Sequence, residues 1–507
     1  MSRARRVRQQ QKQVVKKAEA TTAALPTVPH ALLWLAAAFL LPNLGALACG
    51  FVLDDMPLIV ENNSLHLRSL GQLAHIWAAG YWPDRHGQGL YRPVSQTVWA
   101  LTWSAGGGHP WLFHAVGLLL GLGVVFLLYR FLLIVETPPR IAFIAAVLFA
   151  LLPIHTEATT SVVGSAELLG AALGFGALIC YYRDRAVPAV LLFGLAVFSK
   201  ESAAAFAALP VVFPKKDWRS RSSFISAAGA GVMVAAAIAA HHLIAGGVGV
   251  PPIDNMTVLT DFFPRLLTSL WVQCLYLFKT LVPITLSADY SYKQIPLVMG
   301  LDNWRAWAGL ALVGAAVYVV WRDRQFRAPI LAYAVLFAAT ANILFPLGTI
   351  MGERLAYAPS FAIALLVAML LAQSRYWKEA LIVIAVAFGA RSAVRNLDWR
   401  DADHFYPKLI QTSPDSAKAW YFYGILRSAR EDDIGALAAY DRAIAIFPAY
   451  SEAYHNRGNT LVRLGRREEA MASYRQCLRF DPGHGGAAMN LRALQLGLPL
   501  NPPRRRM

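Results

Sequence analysis

Long runs of apolar residues follow one another through most of the chain, and a more polar, periodic region comes after them. A helix needs about 20 apolar residues to cross the hydrocarbon core of a membrane. The apolar runs, two of them short and separated by a charged break at residues 199–201, predict about eleven helical crossings. The segments are residues 32–49, 111–134, 141–153, 166–182, the two halves of 187–213, 224–244, 304–321, 328–345, 357–373 and 380–394.

Basic clusters in short loops predict the orientation, because loops on the cytoplasmic side are enriched in Lys and Arg. Such clusters occur in the N-terminal tail and at residues 181–185, 215–219 and 321–324. These basic clusters lie on one side of the membrane only if the apolar stretch 263–283 does not cross the membrane. We therefore expect that stretch to be re-entrant or interfacial. The acidic loop 51–92 and everything after the last crossing then lie outside the cytoplasm.

The polar region repeats with a period of 34 residues. Pro414, Pro448 and Pro482 are spaced at this interval, which is that of tetratricopeptide repeats. In the second unit, the small Gly458 lets two helices approach, and the large Tyr474 fills the space between them. A third unit is cut short and predicts a capping helix. A generic pair of helical hairpins is the alternative, but it does not explain the period.

These patterns predict an all-α, polytopic membrane protein with a helical-repeat tail. The predicted divisions are a basic cytoplasmic tail (1–30), a transmembrane domain (31–394), a linker helix (395–413), the repeats with their capping helix (414–498) and a basic tail (499–507). Two repeats are few for stability alone, so we expect them to stack on the linker helix or on the membrane body.

Composition supports the membrane interpretation, since 57% of the 507 residues are hydrophobic and only 15% are charged. The formal net charge of +17 lies largely in the tails and short loops, so it indicates topology rather than a nucleic-acid partner. The four cysteines have neither disulfide nor metal-ligand spacing. We therefore predict no metal site.

Four charged sites lie at the predicted outer ends of spans. A charge there costs free energy unless it faces water, a substrate or a counter-charge. The sites are Asp54 with Asp55; His155 and Glu157 with Glu167; Lys200 with Glu201; and Glu353 with Arg354. Each has a structural alternative: ion pairs at helix ends, a packed histidine, or aspartates in a solvated loop or helix cap. Their convergence on one membrane face favours an active site.

A carboxylate beside cations in such a place suits group transfer from a lipid-linked phosphate donor. The carboxylate accepts the proton of an attacking hydroxyl, and Lys or Arg neutralises the departing phosphate. A lipid donor also explains a catalytic body within the membrane, because its tail must lie between spans.

Several motifs occur in order along the chain. They are Phe51-Val52-Leu53-Asp54-Asp55, Tyr91-Arg92-Pro93, His155-Thr156-Glu157-Ala158, Val163-Gly164-Ser165-Ala166-Glu167, Lys200-Glu201, Asp289-Tyr290-Ser291, Glu353-Arg354-Leu355-Ala356-Tyr357 and Arg395-Asn396-Leu397-Asp398-Trp399. With these motifs the chain resembles the transmembrane and tetratricopeptide-repeat-containing O-mannosyltransferases of the GT-C glycosyltransferase superfamily.

The resemblance implies a GT-C-like membrane body and an inverting transfer of one sugar, mannose, from a polyprenyl-phosphate donor to Ser or Thr hydroxyls of a protein, without a cofactor. It implies that the acidic pair supplies the general base, Asp54 first and Asp55 second. We expect the donor phosphate to bind Arg354, Lys200 and Arg92. The expected supporting residues are His155, Glu157, Glu167, Glu201, Glu353 and Tyr357.

The expected location is a bacterial inner membrane, or the ER membrane if the source is eukaryotic, with the repeats on the periplasmic or luminal side. The expected partners are the lipid-linked sugar, an acceptor protein or peptide engaged by the repeats, and the bilayer. Two other interpretations stay open: a non-catalytic anchor that presents the repeats to a partner, and a ligase or transporter of lipid-linked glycans.

Overall fold

The computed structural model describes residues 30–82, 89–246 and 249–500, and regular structure within these ranges is entirely helical. The all-α prediction is therefore confirmed. The body helices are α1 (Ala31–Asn43), α2 (Leu73–Ala78), α3 (Pro93–Gly106), α4 (Pro110–Ile134), α5 (Pro139–Leu151), α6 (Thr156–Thr160), α7 (Ser165–Tyr182), α8 (Ala186–Ser199), α9 (Leu209–Val212), α10 (Arg221–Ala240), α11 (Phe262–Leu281), α12 (Trp304–Arg322), α13 (Arg327–Ala338), α14 (Ser360–Leu371) and α15 (Trp377–Asp398). The tail helices are α16 (Ala402–Thr412), α17 (Ala417–Ala429), α18 (Asp433–Ile446), α19 (Ser451–Arg463), α20 (Arg467–Phe480) and α21 (Gly485–Gln495). The predicted basic tails lie almost wholly outside the described residues.

Six of the described helices are long and apolar enough to cross a membrane. They are Ala31–Ala48, Pro110–Ile134, Ser165–Tyr182, Arg221–Ala245, Trp304–Arg322 and Trp377–Asp398. A seventh candidate is the pair Pro139–Leu151 and Pro153–Thr160, which bends by 51° at its break. The protein is thus a polytopic membrane protein, as predicted.

Some predicted crossings are helices that are too short to span a bilayer alone. Helices α8, α13 and α14 have 14, 12 and 12 residues. At 1.5 Å per residue these reach about 18–21 Å, against a hydrocarbon core of about 30 Å. The count of about eleven crossings therefore stays a prediction.

The predicted span 328–345 ends early, at Ala338. Asn342 takes a left-handed conformation with φ of 57°, and its side-chain oxygen accepts the Leu347 N–H at 2.7 Å. The side-chain amide of Asn342 donates to the carbonyls of Thr349 and Ile350. These bonds give the backbone an alternative to the helix, which the apolar character of the stretch did not reveal.

Helix α11 covers the stretch that we predicted to be re-entrant or interfacial. It is 20 residues long and buries one face, including Leu267, Val272 and Tyr276. Large apolar side chains such as Phe263 and Phe278 are exposed on it. It is not among the helices apolar enough to be a span candidate, and its placement relative to the bilayer stays a prediction.

The tail forms two helical hairpins and a final helix, as the 34-residue period predicted. The close approach within each hairpin occurs at a glycine. A Cβ on Gly424 would lie 2.6 Å from the ring of Tyr440, and a Cβ on Gly458 would lie 2.5 Å from the ring of Tyr474. The second contact repeats the first one 34 residues later, so the period in the sequence corresponds to a repeated packing contact between helices.

The tail is docked onto the body through α16. Phe405, Tyr406 and Leu409 of this helix share one apolar cluster with Cys49 and Val52, which follow the first membrane helix. Helix α15, which carries the last predicted span, continues to Asp398, so part of the predicted linker is an extension of the body. The tail and the loop that carries the acidic pair are therefore in direct contact.

Candidate functional site

The loop after the first membrane helix places Asp54 and Asp55 in different surroundings. Leu53 has φ of 54°, in the left-handed region, and the chain then enters a short helix at Met56–Val60. The Asp54 side chain is 30% exposed, whereas Asp55 is fully buried. Asp54 can therefore meet a substrate directly, and Asp55 cannot.

Asp55 fixes the loop between α6 and α7. Its carboxylate accepts the N–H groups of Val163 at 2.9 Å and Val162 at 3.3 Å, and the Ser161 hydroxyl donates to it at 3.4 Å. Burial raises the pKa of Asp55 to about 7, and the two valine amides oppose the rise. These contacts are all internal, so the geometry gives Asp55 a structural role in the loop that leads to Glu167.

Arg354 joins the acidic loop to Glu157. Its Nη2 lies 3.5 Å from Asp54 Oδ2, and its Nε lies 3.5 Å from Glu157 Oε1. Its backbone N–H donates to Glu157 Oε2 at 2.9 Å. Burial opposes the charge of Arg354, but the surrounding acidic groups, Glu157 and Asp54 first among them, together raise its pKa. The arginine is thus held in the charged form next to an exposed carboxylate.

Lys200 and Glu201 pair with different partners at the break after α8. Lys200 Nζ lies 2.8 Å from Glu167 Oε1. The Nε of Arg92 donates to both Glu201 oxygens at 3.0 Å, and the guanidinium of Arg92 lies over the Tyr81 ring, 4.8 Å from its centroid. The neighbouring charges in the sequence therefore act in two separate ion pairs.

Electrostatic interactions link these pairs with Arg354, which interacts with Glu167 and with Lys200. We call the whole group the charged cluster: Asp54, Arg92, Glu157, Glu167, Lys200, Glu201 and Arg354. The structure thus brings together residues that are up to 300 positions apart in the sequence. Within the described part of the chain, no three His, Cys, Asp or Glu residues are grouped in a way that could hold a metal ion.

A cleft opens beside the charged cluster, and we call it the Lys200 cleft. The ion pair of Lys200 and Glu167 lines it together with residues that are mainly apolar. The wall residues are Gly170, Ala171, Ser202, Ala203, Phe206, Leu336, Thr340, Leu355, Ala358 and Pro359. The volume of the cleft is about 10 Å³, which is room for about one water molecule.

His155 and Tyr357 are buried beside the cluster and contact each other. His155 Nε2 lies 2.7 Å from Ser360 Oγ, and its ring centroid lies 4.5 Å from that of Tyr357 and 4.6 Å from that of Phe149. These contacts match the packed histidine that we gave as the alternative. His155 is only two residues before Glu157, so the packing of its ring also helps to position this member of the charged cluster.

Glu353 faces away from Arg354, although the two are neighbours in the sequence. It accepts the Ser287 N–H at 2.6 Å and the Tyr290 hydroxyl at 2.5 Å, and Arg395 lies 3.9 Å away. Burial raises the pKa of Glu353. Glu353 therefore anchors the segment around Ser287 rather than the cleft.

Sequence reasoning missed some residues near the cluster. Tyr81 carries no motif signal, and only the fold brings it under Arg92. Tyr290 and Arg395 belong to motifs that carry the family resemblance. Because Glu353 was a predicted site residue that needs a buried partner, it could have pointed to both. Tyr406 was missed because the predicted linker helix carried no assigned contact with the acidic loop.

Two parts of the chain match sequence models of known families. Residues 253–317 match the family described as Protein O-mannosyl-transferase TMTC, DUF1736. Residues 451–484 match the tetratricopeptide repeat, which confirms the repeat prediction for the second unit. The first match covers α11 and part of α12, together with the segment that Glu353 anchors.

Animal proteins are similar to most of the chain. Protein O-mannosyl-transferase TMTC3 of Mus musculus is 23% identical over 85% of this chain and 52% of its own length. Protein O-mannosyl-transferase F38B6.6 of Caenorhabditis elegans is 25% identical over 83% and 63%, and TMTC4 of Homo sapiens is 24% identical over 74% and 60%. The chain thus spans about half to three-fifths of the length of these curated relatives. They give no support to a bacterial source, but with the two family models they confirm the resemblance: the chain is a relative of the TMTC proteins.

Proposed function

We propose that the protein is a glycosyltransferase that moves one mannose from a polyprenyl-phosphate donor to a Ser or Thr hydroxyl of an acceptor protein. The relatives are named protein O-mannosyl-transferases, and this name supports the reaction class. The observation that carries the proposal is the half-open pair of Asp54 and Arg354, 3.5 Å apart and 30% and 27% exposed. It sets a proton acceptor next to a fixed positive charge.

In the proposed reaction the acceptor oxygen attacks C1 of the mannose while the bond from C1 to the phosphate oxygen breaks. The proton of the acceptor hydroxyl passes to the carboxylate of Asp54. A single displacement inverts the configuration at C1. Asp54 takes this role rather than Asp55, because the oxygens of Asp55 are buried and accept three internal donors.

Arg354 is the proposed site for the negative charge that develops on the leaving phosphate. A guanidinium has five N–H donors, so Arg354 can hold a phosphate oxygen while it keeps a carboxylate partner. Fixed donors aimed at a developing charge lower the barrier most where water is excluded. Lys200, which lines the Lys200 cleft, adds a second positive charge, and Arg92 contributes through the same cluster.

The residues that line the Lys200 cleft are the proposed contact surface of the polyprenyl chain, and the cleft must widen from its volume of about 10 Å³ to admit the chain. Its apolar wall residues Phe206, Leu336 and Leu355 provide a surface for isoprenoid carbons, and burial of such carbons contributes about 25 cal/mol per Å². Lys200 then binds the phosphate. A lipid donor of this kind fits a body that is built from apolar helices.

We further propose that the charged cluster and the repeats face the periplasm or, in a eukaryotic source, the ER lumen. The basic loops support this orientation, and the packing of α16 against the acidic loop supports a position of the repeats on the side of the cluster. In this arrangement the repeats can present an acceptor segment to Asp54.

Transfer by the purified chain in lipid nanodiscs tests the proposal. The assay offers a serine- and threonine-containing peptide and one of three donors: polyprenyl-phosphate mannose, polyprenyl-phosphate glucose, or a polyprenyl-linked oligosaccharide. We expect a mass increase of one hexose on the peptide with the mannose donor. Transfer with the oligosaccharide alone would favour the ligase, and the absence of transfer with every donor would favour the non-catalytic anchor.

A further inference from the structure

The residue before Asp54 has an unusual backbone. Leu53 has φ of 54°, in the left-handed region that residues with a Cβ rarely adopt. Such a conformation persists only where the surroundings hold it. The direction of Asp54 depends on it, because the Leu53 backbone sets the course of the chain into the acidic pair.

The hydroxyl of Tyr406, a residue 353 positions later in the chain, holds the backbone of Leu53. The Leu53 N–H donates to Tyr406 Oη at 3.3 Å. Tyr406 lies on α16, is 3% exposed, and packs between the rings of Phe405 and Phe422, with centroid distances of 5.1 and 6.0 Å. Its ring is therefore fixed, and so is the position of its hydroxyl.

A second contact joins the same two elements. The Gly50 N–H donates to the Arg400 carbonyl at 2.8 Å, and the side chains of Val52 and Trp399 lie in one buried cluster. The loop that carries Asp54 is thus held on both sides of Val52 by the segment that opens the tail.

From this geometry we infer that Tyr406 is a positioning residue for Asp54. Its hydroxyl holds the left-handed Leu53, and the held Leu53 aims Asp54 at Arg354. Helix α16, which precedes the repeats, then helps to hold the catalytic loop in place. The catalytic consequence rests on the proposed function, whereas the positioning itself does not.

Tyr406→Phe removes only the hydroxyl. We expect the turnover with polyprenyl-phosphate mannose to fall on the order of tenfold, the size expected when a hydrogen bond that holds a strained residue is lost. The KM for the acceptor peptide should not change, because the ring of Tyr406 and the repeats stay in place. Tyr318→Phe, which removes the same atom from an exposed tyrosine that packs against Trp321 on α12, is the matched control and should keep the wild-type turnover.

Leu53→Gly separates positioning from general damage. Glycine adopts φ near 54° without strain, so a loop that carries this substitution needs the Tyr406 hydroxyl less. We expect the double variant Leu53→Gly with Tyr406→Phe to recover most of the turnover lost in Tyr406→Phe. A double variant as slow as Tyr406→Phe would overturn the inference.

Carboxyl labelling with a water-soluble carbodiimide tests the positioning without any transfer assay. Peptide mass spectrometry follows the rate at Asp54 in the full chain. We expect Tyr406→Phe to raise this rate at least twofold, because Asp54 leaves Arg354 more often, and Leu53→Gly to bring it back. Equal rates in wild type and Tyr406→Phe would contradict the inference. If no donor supports transfer, the proposed function fails and the labelling result alone decides the role of Tyr406.

Discussion

Asp54 and Asp55 are neighbours in the chain, but one is half-open beside a cation and the other is sealed among amide donors. Burial favours the neutral form of Asp55, and hydrogen bonds from backbone amides, including those of Val163 and Val162, favour its charged form. Burial is the larger effect, so the folded chain holds the pKa of Asp55 near 7, above its ordinary value of 3.8. The stability of the fold must therefore depend on pH through this residue.

A folded pKa above the unfolded one means that the stability contributed by Asp55 is full below about pH 4 and is lost as the pH rises towards 7. We expect the difference in Tm between wild type and Asp55→Asn to favour the wild type more at pH 5 than at pH 7.5. Thermal unfolding of both proteins in the same detergent over this range measures it. A difference that grows with pH would show that the amide donors outweigh burial.

Arg354 is the second residue for which one substitution is informative. Lysine keeps the charge but presents a single ammonium group instead of a planar fork, so it cannot hold Asp54, Glu157 and a phosphate together. We expect Arg354→Lys to raise the donor KM and to lower kcat/KM by about 10- to 100-fold. Transfer kinetics at varied donor concentration measure this.

The control for Arg354→Lys is Arg466→Lys, the same change in an exposed ion pair with Glu469. Surface pairs contribute about 0–1 kcal/mol, so we expect wild-type kinetics. An Arg354→Lys protein with the same kinetics as the control would remove Arg354 from phosphate binding.

At the scale of elements, the repeats depend on glycines at close helix contacts. Gly458→Ala puts a Cβ 2.5 Å from the Tyr474 ring. Overpacking of this kind costs about 1–3 kcal/mol, so we expect the full chain to unfold at a lower temperature. Gly485→Ala, where a Cβ meets nothing within 4 Å, is the matched control and should change little. Equal Tm values for the two variants would contradict the packing account.

The repeat contacts could be predicted from the sequence because the same packing recurs in each repeat. A small residue such as Gly458 faces a large one such as Tyr474. The candidate site could be predicted in part, because charges such as Asp54 and Arg354 are conspicuous in an apolar chain. The left-handed Leu53 and the early end of the helix before Asn342 could not. The conformation of Leu53 depends on a contact with Tyr406 that only the folded chain makes. The end of the helix depends on the Asn342 side chain, which bonds to backbone groups in place of the helix.

At the scale of the whole molecule, we propose that the tail lies on the same side of the membrane as Asp54, because α16 packs against the acidic loop. A reporter enzyme that is active only outside the cytoplasm tests the side. We expect activity when it is joined after Met507 and none when it precedes Met1, because the N-terminal tail is basic. The reverse result would contradict the orientation that the basic loops predict.

The central claim is that Asp54 is the base of a transfer reaction. The most direct measurement compares hexose transfer by Asp54→Asn with transfer by Glu61→Gln, an exposed acid in the same loop, after both proteins are shown to unfold at the wild-type temperature. Loss of a general base costs about 10²- to 10⁴-fold, so we predict a loss of this size for Asp54→Asn and wild-type transfer for Glu61→Gln. Wild-type transfer by a folded Asp54→Asn protein would contradict the account.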